Sequence, residues 1–490
     1  MLDSHSVLRQ IYGTPLGLLT DLYQLTMAHA YWKTGGAESE AVFHLFFRSN
    51  PFGGGYAISA GLDQVIDYFN DYQFDAADVA YLSELRGNDD KPLFESGFLP
   101  HLKELQLQCD LDAIPEGTVV FPHQPLLRVR GPLIQCQLLE TALLNIINFQ
   151  TLVATKASRI TSVCGDDPVL EFGLRRAQGI DGALSASRAA FIGGCAATSN
   201  VLAGKLFGIP VKGTHAHSWV MCFDSEREAF ETYADAMPNN CVFLVDTYDT
   251  LQGVRHAIDV GRRLKEKGHQ MVGIRLDSGD LAYLSIEARK LLDEAGFHDA
   301  AIVASNDLDE QIIRSLKEQG AQISVWGVGT KLSTAFDQPA LGGVYKLSAI
   351  KPPGGQWQPK IKLSEQAIKT STPGILQVRR YFDDQGAQAD MIFNELDGAS
   401  DDCVMIDPLD PTRRKTFASD QKHEDLLTPV FRNGTRVCER VSLANIRTRR
   451  EQQLQQFHSG IRRHTYPHQY PVGLETKLNE LKTNLILQAR

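Results

Sequence analysis

Six short stretches of this chain end in groups that handle phosphate, carboxylate or hydroxyl. They are Phe172-Gly173-Leu174-Arg175-Arg176, Gly213-Thr214-His215-Ala216-His217-Ser218, Asp246-Thr247-Tyr248-Asp249, Arg275-Leu276-Asp277-Ser278-Gly279-Asp280, Ser305-Asn306-Asp307 and Gly327-Val328-Gly329-Thr330-Lys331. Arg175, Arg176, Arg275 and Lys331 supply positive charge for a phosphate or carboxylate, and arginine can bind either bidentately. The turn Gly327, Gly329, Thr330 precedes an expected helix start, where free backbone N–H groups favour a phosphate. Asp246 and Asp277 could accept from ribose hydroxyls or help hold a hydrated cation; each could equally cap the following helix. Phe172 beside Gly173 could stack on a flat ring, or be core. His217 follows Gly-Thr and precedes Ser218, a setting for an acid, base or nucleophile rather than a satisfied structural histidine. His-x-His without a third ligand is a weak zinc signal.

Each stretch follows an apolar run: 168–173, 207–213, 241–246, 271–276, 300–304 and 323–327. Amphipathic stretches such as 249–267 separate the runs. Strands alternating with helices imply βαβ units and a parallel sheet, whose carboxyl edge carries the chemistry. Six units in succession favour a closed barrel or a doubly wound sheet. Before this region, 14–35 reads as a helix that Thr20 or Asp21 can cap, AVFHLFFR as a strand, and PFGGGYAISAG as a glycine-rich turn able to hold a phosphate or simply to link two elements. After it come turns and short strands, then two helices. The expected fold is α/β: an irregular (β/α) barrel with an α+β lobe built from the N- and C-terminal regions. The expected divisions are 1–134, 135–350 and 351–490.

The 490 residues carry a formal net charge of −10, with 43% hydrophobic and 22% charged residues. That balance excludes the broad basic face of a nucleic-acid binder. An anionic substrate must therefore meet locally concentrated positive charge. No apolar run spans a bilayer and the first residues show no signal pattern, so no membrane association and a cytoplasmic location are expected. The eight cysteines include no C-x-x-C pair, which speaks against a disulfide framework or zinc site.

Longer motifs run through the same stretches: LLTDLYQLTMAHAYW, EFGLRRAQGIDGALSASRAAFIGG, TSNVLAGKLFGIPVKGTHAHSWVM, IRLDSGDL, ASNDLDE, GVGTKL, GGVYKL and YPVGL. Together they resemble the nicotinate phosphoribosyltransferase family, of the longer class, over nearly the whole chain. The resemblance implies transfer of a phosphoribosyl group from 5-phosphoribosyl 1-pyrophosphate to nicotinate, with Mg²⁺. It implies coupling to ATP hydrolysis through a transient phosphohistidine, placed at His217 by the GTxAHS pattern. His215 falls on that motif's variable position. Thr214, Phe172, Arg275 and, from a neighbouring subunit of a homodimer, Tyr23 are implied at the nicotinate site. Arg175, Asp277 and one hydroxyl of KTSTPG are implied at the donor site, to which the reading of the strand ends adds Asp246, Gly327, Gly329 and Thr330; Ser371 is favoured there over Thr370 and Thr372. Direct Mg²⁺ ligands stay unassigned. The nearest alternative is nicotinamide in place of nicotinate on the same fold.

Overall fold

The computed structural model describes residues 6–399 and 403–490. They form two compact units, Val153–Pro339 and the combination of the stretch up to Leu152 with Ala340–Arg490.

The first unit is built on a six-stranded sheet: β1 (Val169–Glu171), β2 (Ala197–Thr198), β3 (Val242–Leu244), β4 (Gly273–Leu276), β5 (Ala301–Ala304) and β6 (Val325–Val328). The order is β2-β1-β6-β5-β4-β3 and every pairing is parallel. Phe243, Leu244, Ile274, Leu276, Trp326 and Val328 have no measurable exposure. Burial on both faces is why these strands read as continuous apolar runs instead of alternating ones. Helices Ile180–Ile192, Thr250–Glu266, Leu281–Glu294 and Glu310–Glu318 follow strands within the unit. Three of them start at an aspartate whose carboxylate accepts from the first-turn backbone: Asp249 from Gln252, Asp280 from Tyr283 and Asp309 from Gln311 and Ile312. The caps therefore sit three residues beyond Asp246 and Asp277, which are left for other work.

The strand expected at 207–213 is not a ladder strand. Leu206 and Phe207 finish helix Val201–Phe207, Gly208 ends it in a left-handed conformation at φ 70°, and Pro210 has no N–H to give. What remains is one parallel bridge from Val211 to Thr198, and Val211 is 44% exposed. The place in the sheet goes to Ala197–Thr198, too short to announce itself by pattern. The segment still closes on both sheet edges. Thr198 N donates to Pro210 O and Lys212 N to Thr198 O at the β2 edge, both at 3.0 Å. At the β3 edge Leu244 N donates to His215 Nε2 at 3.3 Å.

The second unit holds two more large sheets. One is antiparallel, ordered Gln358–Pro359, Val344–Lys351, Glu40–Phe46, Leu127–Pro132, Asp110–Ala113, Thr428–Arg432, Thr435–Arg436. The other is ordered Arg414–Thr416, Val404–Ile406, Val472–Glu475, Gly386–Asn394, Leu376–Asp383, His423–Asp425, with one parallel pairing between Gly386–Asn394 and Val472–Glu475. Glu40–Phe46 realises the expected AVFHLFFR strand, and Leu22–Lys33 the expected first helix. Asp21 stands at that helix's N-cap, but its carboxylate accepts from Thr141 Oγ1 at 2.8 Å. In the glycine-rich turn, a Cβ on Gly55 would stand 2.2 Å from Ile461 O, so that glycine serves a close backbone approach.

A fully buried ion pair anchors this unit. Arg380 Nε meets Asp390 Oδ1 at 2.8 Å and Nη2 meets Oδ2 at 2.6 Å, with neither side chain exposed. Tyr470 OH donates to Asp390 Oδ1 at 2.8 Å, and Arg380 also donates to Gln453 and to Val119 O. Desolvating both charges is tolerable because the pairing is bidentate and the remaining hydrogen-bonding capacity is used. Asp390→Ala leaves an uncompensated guanidinium, and should lower stability by about 3–5 kcal/mol. The urea midpoint with secondary structure as probe checks this; a shift under a quarter of that size would contradict it.

Candidate active site

His217 opens the short helix His217–Met221, at the end of the segment that spans both sheet edges. Its Nδ1 lies 3.0 Å from Thr247 Oγ1. Its Nε2 faces two carboxylates, Asp277 Oδ2 at 3.8 Å and Asp246 Oδ1 at 4.0 Å. With the Nδ1 proton given to Thr247, the Nε2 lone pair is free toward an incoming electrophile. An imidazole nitrogen so exposed can act as a nucleophile.

Asp246 leaves the carboxyl end of β3 with only 1% of its side chain exposed. Its Oδ2 accepts from Asp277 N at 2.8 Å and from Ser278 Oγ at 2.6 Å. Its Oδ1 is buried with no hydrogen-bond partner. Asp277, following β4, accepts from Ser305 Oγ beyond β5 and lies 3.7 Å from Arg275 Nη2. Arg275 also donates to Thr214 Oγ1, while its Nε is buried and unpaired. Thr214 in turn donates to His215 O at 3.2 Å. Burial pulls the Arg275 guanidinium below its ordinary pKa, Arg175 adds to that, and Asp277 and Asp246 oppose it. The result is a connected set: Thr214, His217, Asp246, Arg275 and Asp277.

Phe172 follows β1, and its backbone N donates to Val328 O at 2.8 Å. A Cβ on Gly327 would stand 2.7 Å from its ring, so β6 needs glycine there to admit the aromatic. Gly329 caps the four-residue helix Thr330–Ser333, with φ −113° and ψ −99°. Arg175 and Arg176 lie on a single 3₁₀ turn, both exposed. Lys331 is less available than expected: it pairs with Asp309 at 2.6 Å.

Tyr23 and Ser371 belong to the other unit. Tyr23 is 49% exposed in the first turn of Leu22–Lys33; partial burial and the Glu140 carboxylate raise its pKa above the ordinary value. The Ser371 hydroxyl is buried and accepts from Lys362 N at 2.9 Å. Thr370 and Thr372, its neighbours, line a cavity instead. Among the described residues no group of three or more His, Cys, Asp or Glu is placed to hold a metal ion.

Thr247, Ser278 and Ser305, which orient His217, Asp246 and Asp277, were not singled out in the sequence. They stand one residue beyond Asp246, one beyond Asp277 and at the head of the fifth strand end, which was the available signal. Glu171 is a further omission. Its buried carboxylate accepts from Gly173 N, from Ser187 Oγ at 2.8 Å and from Thr198 Oγ1 at 2.6 Å, fixing the turn that carries Phe172.

Residues 18–148 match the family model described as nicotinate phosphoribosyltransferase N-terminal domain, and residues 376–482 the corresponding C-terminal domain. A nicotinate phosphoribosyltransferase of Bacillus subtilis (strain 168) is 45% identical over 94% of this chain and 93% of its own. One from Dictyostelium discoideum is 38% identical over 99% and 91%. The crystal structure of human nicotinic acid phosphoribosyltransferase superposes with a TM-score of 0.84 at 33% identity, over 95% of this chain and 99% of the human one.

His215, beside this set, yields a pH prediction. Burial pushes its pKa from about 6.5 down to about 4, with Arg275 and His217 adding to the shift and the Ala216 carbonyl opposing it. The folded ring stays neutral while the unfolded one binds a proton below pH 6.5. Its contribution is therefore complete above pH 6.5 and lost as pH falls toward 4. A His215→Gln variant should lose about 2 kcal/mol less stability than the unaltered chain between pH 7 and pH 5. Urea titrations at the two pH values measure the difference; identical losses would contradict it.

Proposed function

The chain belongs to the nicotinate phosphoribosyltransferase family, and we propose that it joins nicotinate to 5-phosphoribosyl 1-pyrophosphate, giving nicotinate mononucleotide and pyrophosphate in NAD salvage. The observation that carries this reading is the set around His217. A partly buried arginine with an unpaired Nε stands beside a threonine hydroxyl, and two carboxylates bracket one imidazole nitrogen. Arg275 with Thr214 suits the nicotinate carboxylate. The guanidinium also favours nicotinate over nicotinamide, whose amide carries no charge. Phe172 offers a ring face for the pyridine.

Breaking the donor's C1–O bond puts positive charge on ribose and negative charge on the leaving pyrophosphate. Asp277 is placed to accept from ribose hydroxyls and to favour the ribosyl cation. Arg175, with the backbone N–H groups of Gly329 and Thr330, serves the phosphates. Asp246 Oδ1 and Asp277 Oδ2 have the chemistry to face a hydrated magnesium ion, whose charge would offset that of the pyrophosphate. Most of the catalysis is positioning and charge stabilisation.

ATP coupling enters through His217. Nε2 attacks the γ-phosphorus of ATP, the bond to the β–γ bridging oxygen breaks, and ADP leaves; the Nδ1 proton remains on the ring, held by Thr247. The phosphoryl group then stands beside Asp246 and Asp277, and its repulsion from them raises the local affinity for a cation and so for a metal-bearing donor. Hydrolysis of the phosphohistidine restores the starting state.

A homodimer completes the reading, with Tyr23 reaching the site of a neighbouring copy. Leu19, Leu22 and Met27 are exposed around Tyr23. Leu174, Val201, Tyr248 and Phe336 are also exposed, on segments that follow strand carboxyl ends. Exposed apolar side chains of this number are available to be covered by a second copy. The cysteines, all free thiols, fit a reducing compartment and a cytoplasmic location. Among the described residues no helix is long and apolar enough to cross a membrane.

A product assay with nicotinate, nicotinamide or quinolinate, the phosphoribosyl donor and Mg²⁺, with and without ATP, tests the assignment. Mononucleotide should form from nicotinate, faster with ATP; comparable turnover of nicotinamide overturns the choice of base. His217→Asn should keep a basal rate and lose the acceleration by ATP, and an intact ATP effect would remove the phosphohistidine from the scheme. Gly327→Ala should push the Phe172 ring out of place and raise KM for nicotinate roughly tenfold, with a smaller change in KM for the donor.

A further inference from the structure

Wholly within the unit that contains both chain ends lies a cavity of about 710 Å³. Arg413, Arg414, Lys415 and Lys482 line it, and Asp407 is the one carboxylate among its described lining residues. In a chain of net charge −10 this is a concentrated positive site. Asp407 offsets part of it; its Oδ1 accepts from Leu409 N at 2.9 Å and Asp410 N at 3.4 Å, which leaves four basic side chains against one carboxylate. Lys415 Nζ donates to Gln388 Oε1 at 2.9 Å, and Arg414 Nε to Pro411 O at 3.1 Å, both neutral acceptors; of the carboxylates, Asp383 acts on Lys415 through its charge. Arg413 is paired with Asp410 at 3.4 Å and largely exposed, at the rim.

Lys482 is the central group. It rises from helix Thr476–Gln488, and its Nζ donates to Thr372 Oγ1 at 3.3 Å. An ammonium withdrawn from water and met only by a hydroxyl is under-compensated. Burial accordingly pulls its pKa down to about 8. On another wall His123 is held neutral, its pKa lowered to about 4 by burial and by the neighbouring charges of Lys482 and Arg48. Asn50 Oδ1, also lining the cavity, is buried with no hydrogen-bond partner. Ile368, Leu409 and Met405 supply an apolar side. Cations, a free acceptor and an apolar wall suit a ligand with phosphate, hydroxyls and a non-polar part.

We propose that this cavity is a second, non-catalytic binding site for a phosphorylated, hydroxyl-bearing metabolite of up to nucleotide size. The phosphate lies between Lys482 and the Arg414–Lys415 strand, and a hydroxyl reaches Asn50. Ser371 takes no part, because its hydroxyl is already bonded to Lys362 N. None of its residues belongs to the set around His217; Thr370 and Thr372 lie in the KTSTPG stretch weighed for the donor site, and KM for the donor separates the two assignments.

Equilibrium dialysis of the full chain with radiolabelled AMP, and separately with inorganic pyrophosphate, tests it. AMP should show a saturable binding class, tighter than pyrophosphate at the same class. Lys482→Met should weaken that class about tenfold or more, the usual effect of losing one charge-assisted hydrogen bond. The double variant Arg414→Ala with Lys415→Ala should do likewise; these residues lie toward the surface, so it keeps the test open if the buried substitution unfolds the chain. Nicotinate turnover and KM for the donor should be unchanged in both. No saturable class for AMP at millimolar concentration, or equal binding by both variants, overturns the site. Weakened binding together with a raised KM for the donor makes the cavity part of the catalytic centre and overturns its separateness. Pyrophosphate binding more tightly than AMP overturns the nucleotide-sized ligand.

Discussion

A carboxylate with 1% of its side chain exposed has lost its water, and Asp246 recovers the loss from two donors that both belong to the next strand end, Asp277 N and Ser278 Oγ. That exchange ties the carboxyl end of β3 to that of β4. It leaves the second oxygen of Asp246 unpaired, beside Nε2 of His217. From Asp277 the connection continues to Ser305 beyond β5 and back to Arg275, then to Thr214 and the backbone of His215. Asp246 and Asp277 are thus each oriented by a group from the next strand end. Parallel strands make this possible because all six deliver their ends to one edge.

Most of this edge is legible in the sequence. The apolar runs at 241–246, 271–276, 300–304 and 323–327 became strands within a residue or two, since strands buried on both faces cannot hide their composition. The run at 207–213 misled because it is apolar for a different reason. Its first residues finish a helix, Ile209 is buried, and Pro210 blocks the ladder that composition suggests. Ala197–Thr198 could not be found, as two residues carry no period. At the site, residue types were readable and their division of labour was not. Asp246 with Asp249, and Asp277 with Asp280, differ only by one helical turn. Which member caps a helix and which faces a ligand depends on where the helix begins. Ser371, Thr370 and Thr372 could not be separated for a related reason: alternate residues of an extended loop face opposite ways, and phase is not written in three adjacent hydroxyls.

His215 shows how a residue on a variable motif position can still be constrained. Its ring takes the backbone proton of Leu244 at one sheet edge, while the same segment pairs with Thr198 at the other. A neutral imidazole can do this and an imidazolium cannot, because the accepting nitrogen must be unprotonated. The fold therefore depends on a base held well below its natural pKa two residues before a second imidazole that is left partly open to solvent. His215 is 8% exposed, whereas the His217 side chain is 38% exposed.

The two-unit division has a bearing on how the chain is made. Strand Glu40–Phe46 pairs along its length with Val344–Lys351, and Lys351 Nζ meets Glu40 Oε1 across a sequence separation of 311 residues. At translation rates of about 5–20 residues per second, the first strand waits roughly 15–60 s for its neighbour to emerge. During that interval an apolar edge lies open on the ribosome, while the whole of Val153–Pro339 is synthesised and free to fold. The unit inserted between the two halves is thus fully synthesised before the strand Val344–Lys351 emerges to meet its partner.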